Sequence, residues 1–179
     1  ERHDSSANKH WIRHHKIFAR LLHCYAVSSV LEIGGSYGIL SVEYGKLDER
    51  VAWTIIEPNP APIKGCTARF IKKFFDANLI VAQTYDVFVH TNLLEHLYDP
   101  DELMHSIARV LPEGHYHVFS HPNMQLMLER NYLNCINFEH TMLFTEPYVE
   151  YLLAEHGFRL VQKEYFMDEH TIFYATIRD

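Results

Sequence analysis

Two groups of residues in this chain have the types and spacing to do chemistry. Glu32, Gly34, Gly35 and Gly38 fall together in the run Val30-Leu31-Glu32-Ile33-Gly34-Gly35-Ser36-Tyr37-Gly38, and Glu57 follows 19 residues beyond Gly38. A buried strand that stops on glycines lets its backbone approach a ligand closely. An acid at the end of the next strand stands where a βαβ unit places a carboxylate on the two hydroxyls of a bound ribose. The second group is Asn92-Leu93-Leu94-Glu95-His96 together with Glu139-His140. Histidine titrates near neutrality and can take a proton from a hydroxyl or an acidic C–H, and a neighbouring carboxylate can orient the substrate or raise the base's pKa. Adjacent residues on a strand point oppositely, so Glu139 and His140 can cooperate only on a loop.

The elements that must position these residues are legible as periods and breaks. Ser5 and Ser6 can cap a helix running to about Tyr25, with Trp11, His15, Phe18, Leu22 and Tyr25 on one face. Residues 29–33 read as the first strand, 37–47 as the following helix, and 51–56 as a second strand that Pro58 and Pro60 stop at Glu57. A weaker strand is expected over 67–75, ending beside Asp76, and a clear one over 85–91. Asp99-Pro100-Asp101-Glu102 is an N-cap, a proline at N1 and acids in the first turn of a helix. An alternating strand over 115–120 follows, then a helix after Asn123 through Arg130, and an aperiodic stretch over 131–145 of the length that is usually functional or disordered. Glu146-Pro147 opens a last helix, Gly157 closes it, and strands over 158–166 and 171–177 finish the chain. The alternation predicts one α/β layered domain with a mostly parallel sheet and an antiparallel edge, without repeats or linkers.

Composition narrows the partners. With 179 residues and a formal net charge of -7, the chain is long enough for a real core and unsuited to tracking phosphates, so no nucleic acid is expected. No apolar run approaches the ~20 residues of a membrane span, so no membrane partner is expected either. Cys24, Cys66 and Cys135 are an odd number without metal or disulfide spacing, which points to a reducing cytoplasm. The 14 histidines are scattered, without HExxH or similar spacing, and no metal is expected. Because the chain opens on Glu1 rather than Met, it is expected to be trimmed from, or part of, a longer polypeptide; a homo-oligomer is the alternative assembly.

Read together, these stretches resemble the class I S-adenosylmethionine-dependent methyltransferases across almost the whole chain. VLEIGGSYG resembles the family's first motif, IIEPNP its second, and TYDVFVHTNLLEHLYDPDELMHSIARVLPEG its fourth-strand segment and following helix. Within that family the nearest likeness is to the sugar C-methyltransferase branch, through Asn92 to His96, Phe138-Glu139-His140 and Leu152 to Phe158. The resemblance implies a Rossmann-like fold, a mostly parallel seven-stranded sheet with a C-terminal antiparallel hairpin and helices on both faces. It also implies S-adenosyl-L-methionine as cofactor and a small molecule, a sugar or nucleotide-linked sugar, as acceptor in glycan or secondary-metabolite biosynthesis.

By the same resemblance, Gly34, Gly35 and Gly38 would border the methionine end and Glu32 would face its ammonium. Glu57 would take the ribose hydroxyls, Asp76 would lie near the adenine amino group, and Asn92 would border the methionine. His140, Glu139 and His96 would act on the acceptor. Three departures stand out: Ser36 replaces the middle glycine, Pro112-Glu113-Gly114-His115 replaces the usual K-P-G-G turn, and Asn137 stands where the branch has a tyrosine. The branch's N-terminal zinc module and further C-terminal domain are not in this sequence. Ser36 is harmless with a negative φ, whereas a positive φ would mean a strained loop and weaken the cofactor assignment. Two rivals remain. A nicotinamide dehydrogenase shares the βαβ unit but would need glycines at GxGxxG offsets. A non-catalytic binding or scaffold domain would keep the fold alone.

Overall fold

The computed structural model describes residues 9–79, 84–136, 138–166 and 170–179. Ser5, Ser6 and Asn137, singled out above, lie outside the described residues. Seven strands form one mixed sheet in the order β3-β2-β1-β4-β5-β7-β6. They are β1 Ser29–Ile33, β2 Ala52–Ile56, β3 Arg69–Ile71, β4 Val87–Thr91, β5 Tyr116–Pro122, β6 Phe158–Phe166 and β7 Thr171–Arg178. The helices are α1 Lys9–His23, α2 Ile39–Gly45, α3 Pro100–Val110, α4 Met124–Glu129 and α5 Glu146–Glu155. β1 pairs parallel with β2 and β2 with β3, whereas β7 runs antiparallel to both β5 and β6. This is the α/β sheet with a C-terminal antiparallel hairpin that the alternation predicts.

The chain divides into two compact units. One comprises the described residues of Glu1–Phe75 with Tyr85–Val89, and the other those of Asp76–Thr84 with His90–Asp179. In the first, α1 buries His14, His15, Phe18, Ala19, Leu21 and Leu22; of the predicted face His15, Phe18 and Leu22 are buried and its ends, Trp11 and Tyr25, are half-buried. The start of β1 is fixed by Asp86, whose carboxylate accepts from the Ser28 hydroxyl at 2.6 Å and from the Ser28 and Ser29 amides at 2.8 and 2.9 Å. Those hydrogen bonds, the Ser28 hydroxyl foremost, hold the Asp86 pKa below the ordinary aspartate value.

In the second unit Asp99 caps α3 by accepting from the Glu102 amide at 3.0 Å, and Asn123 caps α4 through the Leu126 amide at 3.3 Å. Gly157 closes α5 with φ 71, as expected of a left-handed residue after a helix.

Three expectations shift. α2 starts at Ile39 rather than at residue 37, because Gly38 caps it in the left-handed region at φ 69. β3 keeps only three residues. β5 does not alternate: residues 117–122 are all buried, since β4 and β7 flank it and it is an interior strand.

Candidate active site

The first unit carries the glycine turn and Glu57. Gly34 leaves β1 with φ 75 and its amide donates to the Ile56 carbonyl at 2.9 Å, which ties the turn to the end of β2. Gly35 is required by packing rather than by its φ. A Cβ there would stand 2.6 Å from Glu32 Cδ and 2.7 Å from Ile55 Cγ2. A Gly35→Ala variant must displace a buried strand residue or the Glu32 carboxyl. It is expected to lose about 2 kcal/mol in a urea unfolding titration, and an unchanged midpoint would contradict that packing. At Gly38 a Cβ would meet Cys66 Sγ at 2.5 Å.

Glu32 is 1% exposed and accepts from the Trp53 indole N–H at 2.8 Å. Burial pushes its carboxyl up to about 7; the Trp53 bond opposes this and the nearby Glu57 charge adds to it. Near neutrality a cationic group placed over the turn would favour the ionised form. That is the electrostatic condition an ammonium-facing acid needs, although the structure directs one Glu32 oxygen to Trp53.

Glu57 is held by the backbone. Its Oε2 accepts from the Ser36 amide at 3.2 Å and its Oε1 from the Asn59 amide at 2.8 Å, so the half-buried carboxylate is fixed beside the turn with lone pairs to spare. Ser36 makes that bond with φ 31, so the condition under which the substitution would be harmless is not met. The left-handed conformation costs a residue with a Cβ about 1–2 kcal/mol, and it is held by two bonds: the amide to Glu57, and the Ser36 carbonyl accepting from the Ala61 amide at 3.1 Å. The turn is therefore a strained loop, a cost borne at the place where the cofactor assignment rests.

The second unit holds the remaining candidates. Asp76 is exposed and accepts from both the Asn78 amide and its side-chain nitrogen at 2.8 Å, which caps the short helical turn Ala77–Leu79. Asn92 adopts φ 45; its amide donates to the Ser120 carbonyl at 3.0 Å and its Oδ1 accepts from the Ser120 hydroxyl at 3.1 Å. That seats the residue firmly at the end of β4.

His96 and His140, 44 residues apart in sequence, are brought together with ring centroids 5.1 Å apart. Several contacts hold them. The Thr141 amide donates to the Glu95 carbonyl at 2.8 Å, and the Thr141 hydroxyl donates to the Leu97 carbonyl. His96 Nδ1 donates to the Glu139 carbonyl at 3.0 Å, and His140 Nδ1 to the Cys135 carbonyl at 2.7 Å. Cys135 is in turn anchored by packing with Met124 and Met127. Since a carbonyl can only accept, each ring donates through Nδ1, so its neutral tautomer is the one with the proton on Nδ1 and the lone pair on Nε2. Glu139 is exposed and on a loop, and its backbone rather than its carboxylate steadies His96.

Two buried groups at this site were given no individual role by the sequence. Glu95 is 1% exposed, with Oε1 4.0 Å from His96 Nε2 and Oε2 3.8 Å from Nδ1 of His121, itself 1% exposed. Glu95 stands in the Asn92 to His96 motif, where its acid type was the available signal. His121 had none beyond lying near a strand end.

A family model described as a methyltransferase domain matches residues 8–163. The chain belongs to that family. No curated protein matches the sequence. Among solved structures, this methyltransferase-family chain is similar in fold to an O-methyltransferase family protein from Burkholderia thailandensis. The TM-score is 0.72 at 12% identity, with 93% of this chain and 57% of that one covered. It is also similar to the N-methyltransferase NodS from Bradyrhizobium japonicum, in complex with S-adenosyl-L-homocysteine, with a TM-score of 0.69 at 20% identity and 96% and 89% covered. The magnesium protoporphyrin IX methyltransferase from Synechocystis, with bound S-adenosylhomocysteine, gives 0.70 at 11% identity with 94% and 85% covered. The chain thus spans little more than half of the first of these proteins. Among the described residues, no helix is long and apolar enough to cross a membrane.

Proposed function

We propose that this chain transfers the methyl group of S-adenosyl-L-methionine to a small molecule, a sugar or nucleotide-linked sugar. The cofactor supplies an electrophilic methyl on a sulfonium, so the protein's task is to hold both partners and manage the acceptor's proton. Gly34, Gly35 and Gly38 with Glu32 hold the methionine end, Glu57 the ribose hydroxyls, Asp76 the adenine and Asn92 the methionine's border. His140 takes the acceptor's proton at Nε2, with His96 flanking it and Glu139 orienting the acceptor.

The observation that carries this reading is the meeting of two stretches chosen for proton chemistry, Asn92 to His96 and Glu139-His140, in one cluster with matched tautomers. The likeness of those stretches to the sugar C-methyltransferases supports a sugar acceptor. Exposed Leu133, Ile136 and Phe138 supply apolar surface in the segment expected to choose the acceptor.

Replacing Glu57 with alanine removes a charge-assisted pair of hydrogen bonds to the ribose. It is expected to weaken S-adenosylhomocysteine binding by about 1.5–3 kcal/mol, or roughly 10- to 150-fold. Equal affinity of variant and parent in calorimetry would remove Glu57 from the cofactor site. The acceptor is tested by incubating the protein with methyl-labelled cofactor and a panel of nucleotide sugars. Label on one of them supports the reading, and label only on unrelated small molecules overturns the sugar assignment.

A further inference from the structure

We propose that Glu95, His96 and His140 form a binding site for one divalent transition-metal ion. One ligand atom from each residue lies within 4.8 Å of the other two. The set is two imidazoles and one carboxylate, a donor combination suited to zinc, cobalt, iron or manganese rather than to magnesium or calcium. A cation with bonds of about 2.1 Å would draw these atoms to roughly 3.4 Å apart in tetrahedral geometry, a contraction from the spacing seen.

Two further features point to a cation. Each histidine has its Nδ1 bonded to a backbone carbonyl, His96 to Glu139 and His140 to Cys135, which fixes the ring's orientation as the second partner of a metal-ligating histidine does and makes Nε2 the nitrogen each would offer the cation. Glu95 is 1% exposed, and its Oε2 has no hydrogen-bond partner among the described residues; His121 Nδ1, at 3.8 Å, is beyond hydrogen-bond length. The Glu95 oxygen nearer His96 is Oε1, 4.0 Å from its Nε2, so the cation would bind there and its charge would offset the burial of the carboxylate. The sequence hid the site because its ligands lie on two segments 44 residues apart.

Resting on the methyl-transfer reading, the site has a regulatory consequence. The cation and the acceptor's proton compete for one atom, Nε2 of His140, so cation occupancy stops turnover without displacing the cofactor.

The test begins with chelator-stripped protein titrated with cobalt(II), followed by calorimetry and visible absorption. One bound equivalent with d–d bands is expected, weakened about tenfold or more in Glu95→Gln and in the half-exposed His96→Ala. No bound cobalt, or binding that both variants leave intact, would overturn the site. Zinc(II) added to the active protein is expected to abolish methyl transfer, with chelator restoring it. Cobalt binding that depends on these residues while zinc leaves turnover unchanged would confirm the site and instead overturn the role of His140 as base.

Discussion

Replacing His140 with alanine, in protein kept free of metal by chelator, is expected to lower methyl transfer about 10²- to 10⁴-fold, the range for loss of a positioned general base. S-adenosylhomocysteine affinity should be unchanged, because the residues proposed to hold the cofactor are others. The split follows from the site's construction. His140 Nδ1 donates to the Cys135 carbonyl at 2.7 Å, so Nε2 is the ring nitrogen assigned to the acceptor's proton. The same bond keeps the ring aimed, and its anchor, Cys135, is 1% exposed. Full turnover in the variant would remove the base. A fall in turnover matched by a fall in cofactor affinity would mean that the substitution disturbed the fold.

Acidification should destabilise the protein steeply, and His117 should account for a large share. His117 stacks on Phe119 with ring centroids 4.8 Å apart, and Phe119 stacks on Tyr174 at 4.9 Å. His90 lies 5.1 Å from His117. Burial pushes the His117 pKa from 6.5 down to about 3, and burial first, then the His117 and His121 charges, pushes His90 well below its ordinary value. His15 is lowered too, chiefly by burial. The unfolded chain therefore takes up these protons below pH 6.5 while the folded one does not. The stability associated with His117 is fully present above pH 6.5 and is lost as pH falls towards 3, about 5 kcal/mol over the whole window.

Glu32 works in the opposite direction. Its pKa, raised from 4.5 to about 7, makes the folded state the stronger proton binder between those values, so its contribution is complete below pH 4.5 and lost as pH rises through 7. Three histidines against one glutamate leave the acid limb dominant. Urea unfolding at pH 6.5 and pH 5 should show a gap in stability that shrinks by about 2 kcal/mol in His117→Phe. An identical gap in variant and parent would contradict the assignment.

What the sequence discloses is mostly what is local. Asp99 before Pro100 and Gly157 after α5 each act on backbone groups within a few residues, and each occurs as read. Glu57 was legible because two prolines mark the end of β2 and the spacing from Gly38 marks the βαβ unit. Contacts between distant segments leave no period in the sequence, and that His96 and His140 act together was expected from the family resemblance alone. The approach of His140 to His96 depends on Thr141 binding the Glu95 and Leu97 carbonyls, and no period along the chain reports it. The left-handed φ of Ser36 is likewise a tertiary outcome, set by the demands of Glu57 and Ala61 on its amide and carbonyl.

The central claim is that the glycine turn and Glu57 form half of a nucleoside site for S-adenosylmethionine. Isothermal calorimetry of the parent protein with S-adenosylhomocysteine, beside NADH under the same conditions, tests it most directly. One equivalent of S-adenosylhomocysteine bound and no heat from NADH are expected. Binding of NADH, or no S-adenosylhomocysteine bound when it is added at about millimolar concentration, would contradict it.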